Sequence, residues 1–378
     1  VRIGLDITTG LTQSAGIGRY VRELVHALVP SLASGEELVL WHGRIARRAP
    51  FLRPARPAVC EIELPLSPVW VTRLWQRLRV PVPLEHFTGR ISVSHGPDFV
   101  APPSRAPCIV TVHDLSFVVV PQHAHPRLRQ YLATTLPHSL RRASAVIAVS
   151  EQVRQELIDH YRLPPDRVIT ISHGVTTALV PAPAVDTEEV LTRLGVHQPY
   201  FLMVGTIEPR KNHLGALEAF ARLAAHYPEA SLVVTGAPGW LSQPILRALS
   251  EAASRHRVRF LGHVSDADLA VLYTCCVALI YPSWYEGFGL PVLEAMALGA
   301  PVVTSNRGAL AEIAGDAALT AAPGRPEELA AAMEHLLCDS VLRRQLAESG
   351  MRRAKAFSWE RAARMHLDLY RSVSGRSL

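Results

Sequence analysis

The stretch Val277-Ala-Leu-Ile-Tyr281-Pro-Ser-Trp-Tyr-Glu286-Gly-Phe-Gly-Leu-Pro-Val-Leu-Glu294 reads as a buried strand, a glycine-rich turn and the opening of a helix. Gly287 and Gly289 allow the backbone to come close to a ligand. Pro291 suits a first helical position, where its missing N–H costs nothing, and the amides exposed at a helix start attract oxygen-rich groups. Glu286 sits at the loop tip and Glu294 one turn into the helix. Each is placed to accept from a pair of neighbouring hydroxyls, so the two together can orient a polyol without a metal. The spacing is equally compatible with two solvated carboxylates around a turn that needs glycine only for its shape.

Upstream, Phe201-Leu-Met-Val-Gly205-Thr-Ile-Glu-Pro-Arg210-Lys211-Asn212-His repeats the plan of a buried strand running into a loop, here with two adjacent cations. A planar Arg fork and a compact Lys charge can engage the oxygens of a diphosphate from different directions. Lys211 is conspicuous, because only Lys211 and Lys355 among the 39 basic residues are lysines. The plainer reading, a solvated helix start, is weakened because cations there oppose the helix dipole.

The strand-then-helix pattern extends along the whole chain. Apolar runs at Ile3–Ile7, Ile109–Val112, Val146–Val149 and Val168–Ile171 read as buried parallel strands, as do Phe201–Val204, Leu232–Thr235, Val258–Leu261, Val277–Tyr281 and Val302–Thr304. Segments with helical spacing lie between them, among them Gly18–Leu28, Leu214–Ala225 and Ala267–Tyr273. Such alternation predicts an α/β protein. A length of 378 residues suits two domains, and the Pro-rich connection between His173 and Pro199 divides them. The expectation is two doubly wound Rossmann-like domains, 1–180 and 181–358, facing across a cleft that collects the carboxyl ends of the strands.

Composition narrows the classes. At 48% hydrophobic residues the chain is globular. No run approaches the roughly 18 apolar residues of a spanning helix, and Val1-Arg-Ile-Gly-Leu-Asp begins as a strand instead of a signal peptide. A cytoplasmic protein is expected. Cysteines 60, 108, 275, 276 and 338 are odd in number and lack paired metal spacing, which predicts buried, reduced thiols. Positive charge is concentrated early: residues 1–180 carry net +7 and 181–378 net −1. From Arg44 to Arg90 nine arginines face three glutamates, and Trp70-Val-Thr-Arg73-Leu-Trp75-Gln-Arg77-Leu-Arg79 mixes aromatic, aliphatic and cationic groups as interfacial helices do. Peripheral membrane contact through 44–90, at the inner membrane face, stands beside the alternative of an amphipathic helix whose tryptophans pack inward.

Two motifs are set aside. Gly16-Ile-Gly18 is followed by Arg19, Tyr20 and Val21, so the third glycine of a dinucleotide fingerprint is missing and NAD is not expected. Asp266-Ala-Asp268 has metal-binding spelling, but Ser265 and Asp266 precede an apolar-periodic segment and read as a helix cap. No metal ligand set is expected.

In order and spacing, Gly16-Ile-Gly18-Arg-Tyr, Thr111-Val-His113-Asp114, Gly205-Thr-Ile-Glu-Pro-Arg210-Lys211-Asn, Gly262-His-Val and Glu286 through Glu294 resemble the retaining glycosyltransferase family 4 over essentially the whole chain. The wording is most similar to its mannosyltransferase B-like branch. The resemblance implies a two-domain GT-B fold whose last helix, 359–378, returns to the first domain. It also implies transfer of a hexosyl group, with GDP-mannose as the guess for donor, to a saccharide or lipid-linked acceptor in polysaccharide synthesis. Configuration is retained, and no metal or other cofactor is required beyond the nucleotide-sugar co-substrate; nucleic acid is not an expected partner. His113, Arg210, Lys211 and Glu286 become the catalytic candidates, with Asp114 as a further neighbour. Gly16, Gly18, Gly205, Thr206, Gly262, His263, Val264, Gly287, Phe288, Gly289, Leu290 and Glu294 become donor-binding. The chain departs from the family at His173-Gly174-Val175-Thr176, where relatives often carry Asn-Gly-Val-Asp. A sugar-nucleotide epimerase of related fold and a non-catalytic nucleotide-sugar-binding subunit are the competing readings.

Overall fold

A computed structural model describes residues 1–13, 16–46, 56–175, 186–255 and 257–375. Contacts divide the chain into two units. One holds Val1–Leu115, Pro126–Gly174 and Phe357–Leu378, and the other Ser116–His125 and Val175–Ala356. The assignment of Ser116–His125 to the second unit departs from a simple cut near 180. Thr176 and the Pro-rich run 180–185 lie outside the described residues.

The first unit is built on a seven-stranded sheet in the order β3-β2-β1-β4-β5-β6-β7. Its strands are β1 (Arg2–Asp6), β2 (Glu37–His42), β3 (Val59–Glu63), β4 (Val93–Gly96), β5 (Cys108–Val112), β6 (Ala145–Ala148) and β7 (Val168–Thr170). All pairings are parallel. The second unit carries a six-stranded parallel sheet, β10-β9-β8-β11-β12-β13. These strands are β8 (Tyr200–Val204), β9 (Ser231–Thr235), β10 (Val258–Gly262), β11 (Ala278–Tyr281), β12 (Val302–Ser305) and β13 (Leu319–Ala321). In each sheet the order reverses once, between β1 and β4 and between β8 and β11, and ligands of open parallel sheets bind beside that reversal.

Strands that are apolar on both faces agree with the pattern reading, whereas β2, β3, β4 and β13 were not anticipated. Strand β3 is half exposed at the sheet edge, β4 is the polar Val-Ser-His-Gly, and β13 has three residues. Apolar periodicity cannot mark β3, β4 or β13, whereas β2 does carry a buried apolar run, Leu38–Trp41, that the pattern reading leaves out.

Helix α1 (Ile17–Ser31) buries Tyr20, Val21, Leu24, Val25 and Leu28 along one stripe. Helix α5 (Trp359–Ser374), at the opposite end of the chain, lays Trp359, Ala363, Leu367 and Tyr370 into the same core, with Ile3, Leu5 and Leu24. A second core forms around Phe201, Leu232, Ile280 and Val303, covered by helix α2 (His213–Ala224) through Ala216 and Phe220. Helix α3 (Asp266–Cys275) is capped by Ser265, whose Oγ accepts from the Asp268 amide at 3.1 Å. The Asp268 carboxylate is taken by Arg193 at 2.5 Å. The cysteines form no disulfides, but only Cys108 is buried; Cys60 and Cys338 are exposed, contrary to the expectation of buried thiols. Among the described residues no helix is long and apolar enough to cross a membrane.

Candidate active site

In the second unit the loops after β8 and β11, the two strands flanking the reversal, carry the predicted charges. Arg210 donates through Nη1 to Glu286 Oε2 at 2.5 Å and to the Tyr285 carbonyl at 2.9 Å, and through Nη2 to Glu208 Oε1 at 2.6 Å. Lys211 Nζ donates to Glu286 Oε1 at 2.6 Å and to the Tyr281 hydroxyl. The hydroxyl itself donates to Glu286 Oε1 at 3.1 Å. Glu208, Arg210, Lys211 and Glu286 thus make a compact cluster of two anions and two cations.

Local structure dictates this convergence. Pro209–Lys211 is a single 3-10 turn, and Asn212 turns the chain left-handed (φ 59°) into helix α2. Asn212 Nδ2 is held by the carbonyls of Pro282, at 3.1 Å, and Pro323, at 2.7 Å. The Trp284 amide donates to the Arg210 carbonyl at 2.9 Å, so the two loops are tied by backbone as well as by charge. Burial alone would push the Glu286 carboxyl up, but Arg210 and Lys211 outweigh it and hold the group at about 2. Glu208 moves the other way, raised by burial that Arg210 only partly offsets. The cluster therefore has one firm carboxylate and one that accepts a proton more readily.

The glycine-rich turn follows. Gly289 has φ 118° and leads helix α4 (Leu290–Ala297). An added Cβ would lie 2.7 Å from Leu310 Cδ2, so both conformation and space require glycine. Glu294 is buried one turn into α4 and accepts from the Tyr273 hydroxyl at 3.2 Å. Gly287 and Phe288 are buried and Leu290 half-buried, whereas His263 is exposed. Gly205, Gly236 and Gly262 end the adjacent strands β8, β9 and β10 with positive φ. A Cβ added at Gly236 would strike the Gly205 carbonyl oxygen, so the close approach of the two loops requires glycine there. Thr206 lies beside Gly239 in the same edge.

Sequence reasoning had assigned no role to Glu208, Tyr281, Gly236 or His123. The first two lie inside or beside quoted motifs, and their pairing depends on the approach of β8 to β11. His123 belongs to Ser116–His125, the short segment grouped with this unit. Its ring stacks on Trp284 at 5.7 Å and 18°, and its carbonyl accepts from Trp240 Nε1 at 2.9 Å. Burial and the nearby Arg210 depress its pKa.

The first unit carries His113 and Asp114 just beyond β5. His113 is buried, and its Nε2 lies 2.7 Å from the Pro97 carbonyl. A carbonyl only accepts, so Nε2 bears the proton and Nδ1 presents the lone pair. Burial depresses the His113 pKa to about 4, so the ring is neutral. Tyr20 packs edge-on at 4.8 Å, Phe99 lies at 5.9 Å and His173 at 5.7 Å. His173 in turn stacks on Trp359 at 5.7 Å. The departure from the family pattern at 173 thus places an aromatic ring against the candidate histidine. Asp98 follows β4 and is pushed up to about 7 by burial, then by Asp6 and Asp114.

Gly16 has φ 58° with nothing within 4 Å of an added Cβ, whereas a side chain at Gly18 would meet the Gln13 carbonyl. Packing against its own loop is therefore a sufficient reason for glycine at 18.

Two all-parallel α/β units, with charged and glycine-rich loops at the reversal of the second sheet, have the architecture of the GT-B fold. Residues 14–179 match Glycosyltransferase Family 4 and residues 188–353 match Glycosyl transferases group 1. The chain is 32% identical to O-antigen chain mannosyltransferase B of Escherichia coli, over 94% of this chain and 96% of that one. In fold it is similar to sucrose-phosphate synthase from Thermosynechococcus elongatus, with TM-score 0.77, 23% identity and full coverage of both chains. It is also similar to WaaG, a glycosyltransferase involved in lipopolysaccharide biosynthesis, with TM-score 0.72, 18% identity, and 97% and 99% of the two chains covered. The protein belongs to glycosyltransferase family 4.

Proposed function

We propose that this glycosyltransferase moves a mannosyl group from GDP-mannose, with retention of configuration, to a saccharide or lipid-linked acceptor in polysaccharide synthesis. The choice of sugar rests on the likeness to O-antigen chain mannosyltransferase B. The observation that carries the chemistry is the Glu208–Arg210–Glu286–Lys211 cluster. Cleaving the anomeric bond builds negative charge on the departing diphosphate, and preorganised cations act where charge develops. Lys211 has three N–H donors, two of which meet Tyr281 and Glu286. Arg210 and Lys211 take the leaving group, while Glu286, kept ionised by them, accepts from sugar hydroxyls. Glu294 takes the ribose and Gly262–Val264 the base, with the amides after Gly205 and Gly287 lining the donor. Gly16 brings backbone toward phosphate.

His113 has a narrower role than its position in the sequence suggested. Its N–H is committed to Pro97, so it accepts from a sugar hydroxyl and does not donate to the departing phosphate. Asp114 stands beside it. Without a protein nucleophile at the anomeric carbon, the leaving phosphate assists attack on the same face, in contrast to a double displacement through paired carboxylates. Charge neutralisation by Arg210 and Lys211 calls for no metal and no resident cofactor.

Thermal shift and slow donor hydrolysis with GDP-mannose, UDP-glucose, UDP-N-acetylglucosamine, GDP-fucose, dTDP-rhamnose and NAD, each with and without EDTA, test this reading. GDP-mannose should stabilise the protein and be hydrolysed despite EDTA, and Lys211→Ala should lower kcat at least 100-fold. A loss below tenfold would remove Lys211 from the leaving-group role. Hydrolysis separates the enzyme from a binding subunit, and a released hexose of unchanged identity separates it from an epimerase.

A membrane-facing role for the first unit has its own support. Trp75 packs inward against Trp41, but Trp70 is 51% exposed, Val69 59% and Leu78 69%. The Arg73 guanidinium lies 5.0 Å over the Trp70 ring. Apolar tips and cations on one exposed segment suit the headgroup region of an anionic bilayer, and this supports our reading of peripheral contact by a cytoplasmic protein at the inner membrane face. Arg47, Arg48 and Arg53 lie outside the described residues. Binding to phosphatidylglycerol vesicles should fall at least fivefold in the Arg73→Glu/Arg77→Glu/Arg79→Glu variant and in Trp70→Ser; unchanged binding removes the reading.

A further inference from the structure

We propose that Tyr20 and His366 are positioning residues for His113, acting through a hydrogen-bonded chain that ties the carboxyl end of β5 to helix α5. The inference rests on the reading that His113 meets the sugar.

The chain links five side chains drawn from α1, β4, β5 and α5. Tyr20 Oη lies 3.1 Å from Thr111 Oγ1 and 3.1 Å from His366 Nε2. Thr111 Oγ1 lies 2.8 Å from His95 Nε2, and His95 Nδ1 lies 2.7 Å from Tyr370 Oη. His366 Nδ1 lies 2.7 Å from the Ala362 carbonyl, one turn back in its own helix.

That last contact sets the direction of all the others. A carbonyl only accepts, so His366 carries its proton on Nδ1, and a neutral imidazole then has its lone pair on Nε2. The Tyr20 hydroxyl must donate to it. Having spent its proton, the Tyr20 oxygen accepts from Thr111, and the Thr111 oxygen accepts from His95 Nε2–H. His95 Nδ1 is left as the acceptor for Tyr370. Every donor has one acceptor and both histidines are neutral. Burial depresses the pKa of each: His366 falls to about 4, and His95, with His366 and His113 adding to the burial, falls further. No other proton arrangement keeps all the contacts while both histidines remain neutral.

The chain bears on His113 in two ways. Thr111 and His113 are two residues apart and project on the same side of the strand, so fixing the Thr111 hydroxyl from both sides fixes the strand end that carries His113. The Tyr20 ring, anchored at its hydroxyl, also forms a wall at 4.8 Å from the imidazole. Trp359 and His173 continue that wall. A side chain at Gly174 would strike the Trp359 backbone, so α5 sits as close as this loop allows. The terminal helix thus acts on the orientation of His113 through Tyr20 and Thr111.

The test measures donor hydrolysis in the full-length enzyme with Tyr20→Phe, His366→Leu, His366→Gln, the double variant Tyr20→Phe/His366→Leu, and His113→Gln. Tyr20→Phe removes only the hydroxyl and keeps the ring. It and His366→Leu should each lower kcat five- to twentyfold, with donor KM within twofold, because the diphosphate site in the second unit is unaltered. The double variant should be no worse than the more damaged single one, since either change cuts the same chain. His366→Gln, which returns an acceptor near Nε2, should recover to within threefold of the parent. Nitrogen-15 spectra of the imidazoles should show His366 as the Nδ1–H and His95 as the Nε2–H tautomer. Parental kcat in Tyr20→Phe together with an impaired His113→Gln overturns the inference, as do reversed tautomers or a loss that only tracks the folded fraction. An unimpaired His113→Gln overturns the role of His113 instead.

Discussion

The two units share a parallel-sheet plan, yet they bury polar groups at their strand ends by opposite means. The second unit gathers four full charges, Glu208, Arg210, Lys211 and Glu286, and makes them tolerable by mutual compensation. The first gathers His95, His113 and His366 with two tyrosines and keeps every ring uncharged, matching donors to acceptors by tautomer, while His173 packs beside them by ring contact. In each case the pairing offsets the cost of burying the groups that take part in it. Fold alone does not choose between these solutions. Charge suits the unit proposed to receive a diphosphate, and neutrality suits the one proposed to receive a hydroxyl.

Acid should separate the two most sharply. His113 and His366 are depressed from about 6.5 to about 4 in the folded protein, so the unfolded chain binds more protons across that interval. Their contribution is fully present above pH 6.5 and lost as pH falls toward 4, on the order of 3 kcal/mol each. His95 and His173, also depressed by burial, act in the same sense. Asp6 and Asp98, pushed up to about 6 and 7, act in the opposite sense and offset part of it. In the second unit His213, also depressed to about 4 by burial, acts as the first unit's histidines do but as one buried ring against their four, while the Glu286 contribution survives to below pH 4.5 and is lost only toward about 2. Hydrogen exchange at pH 7.5 and pH 5 should therefore show protection falling in β1, β4 and β5 well before β8 and β11; equal loss in both sheets breaks the comparison.

Removing one member of each network sharpens it further. Glu286→Ala leaves two buried cations short of a partner and should cost about 3–5 kcal/mol in urea unfolding. Tyr20→Phe removes two neutral hydrogen bonds and should cost about 1–3 kcal/mol. If the two variants prove equally destabilised, charge is not what distinguishes the units.

Much of the second unit's site was legible because its parts are local. Strand, glycine turn and helix follow one another within Val277–Ala295, and Gly205–Asn212 repeats the pattern, so turn chemistry and apolar period identify both. Glu208 was spelled out in the same run, but its partnership with Arg210 beside Glu286 depends on the spacing of β8 from β11. The first unit's network left no comparable trace. Tyr20, Thr111 and His173 fall inside quoted stretches that give them no role of their own, His95, His366 and Tyr370 stand alone along the chain, and a lone buried histidine has no sequence signature.

By itself the sequence determined the α/β alternation, the two-unit plan, the family and the loops that carry charge, because hydrophobic period and turn residues act over a few positions. Only the tertiary structure decided which cation meets which carboxylate, which imidazole nitrogen bears its proton, and that the terminal helix closes the first core beside His113. Those outcomes depend on strand order and on angstrom-scale approach between residues up to 346 positions apart, and hydrogen bonding and ion pairing are governed by distance in space.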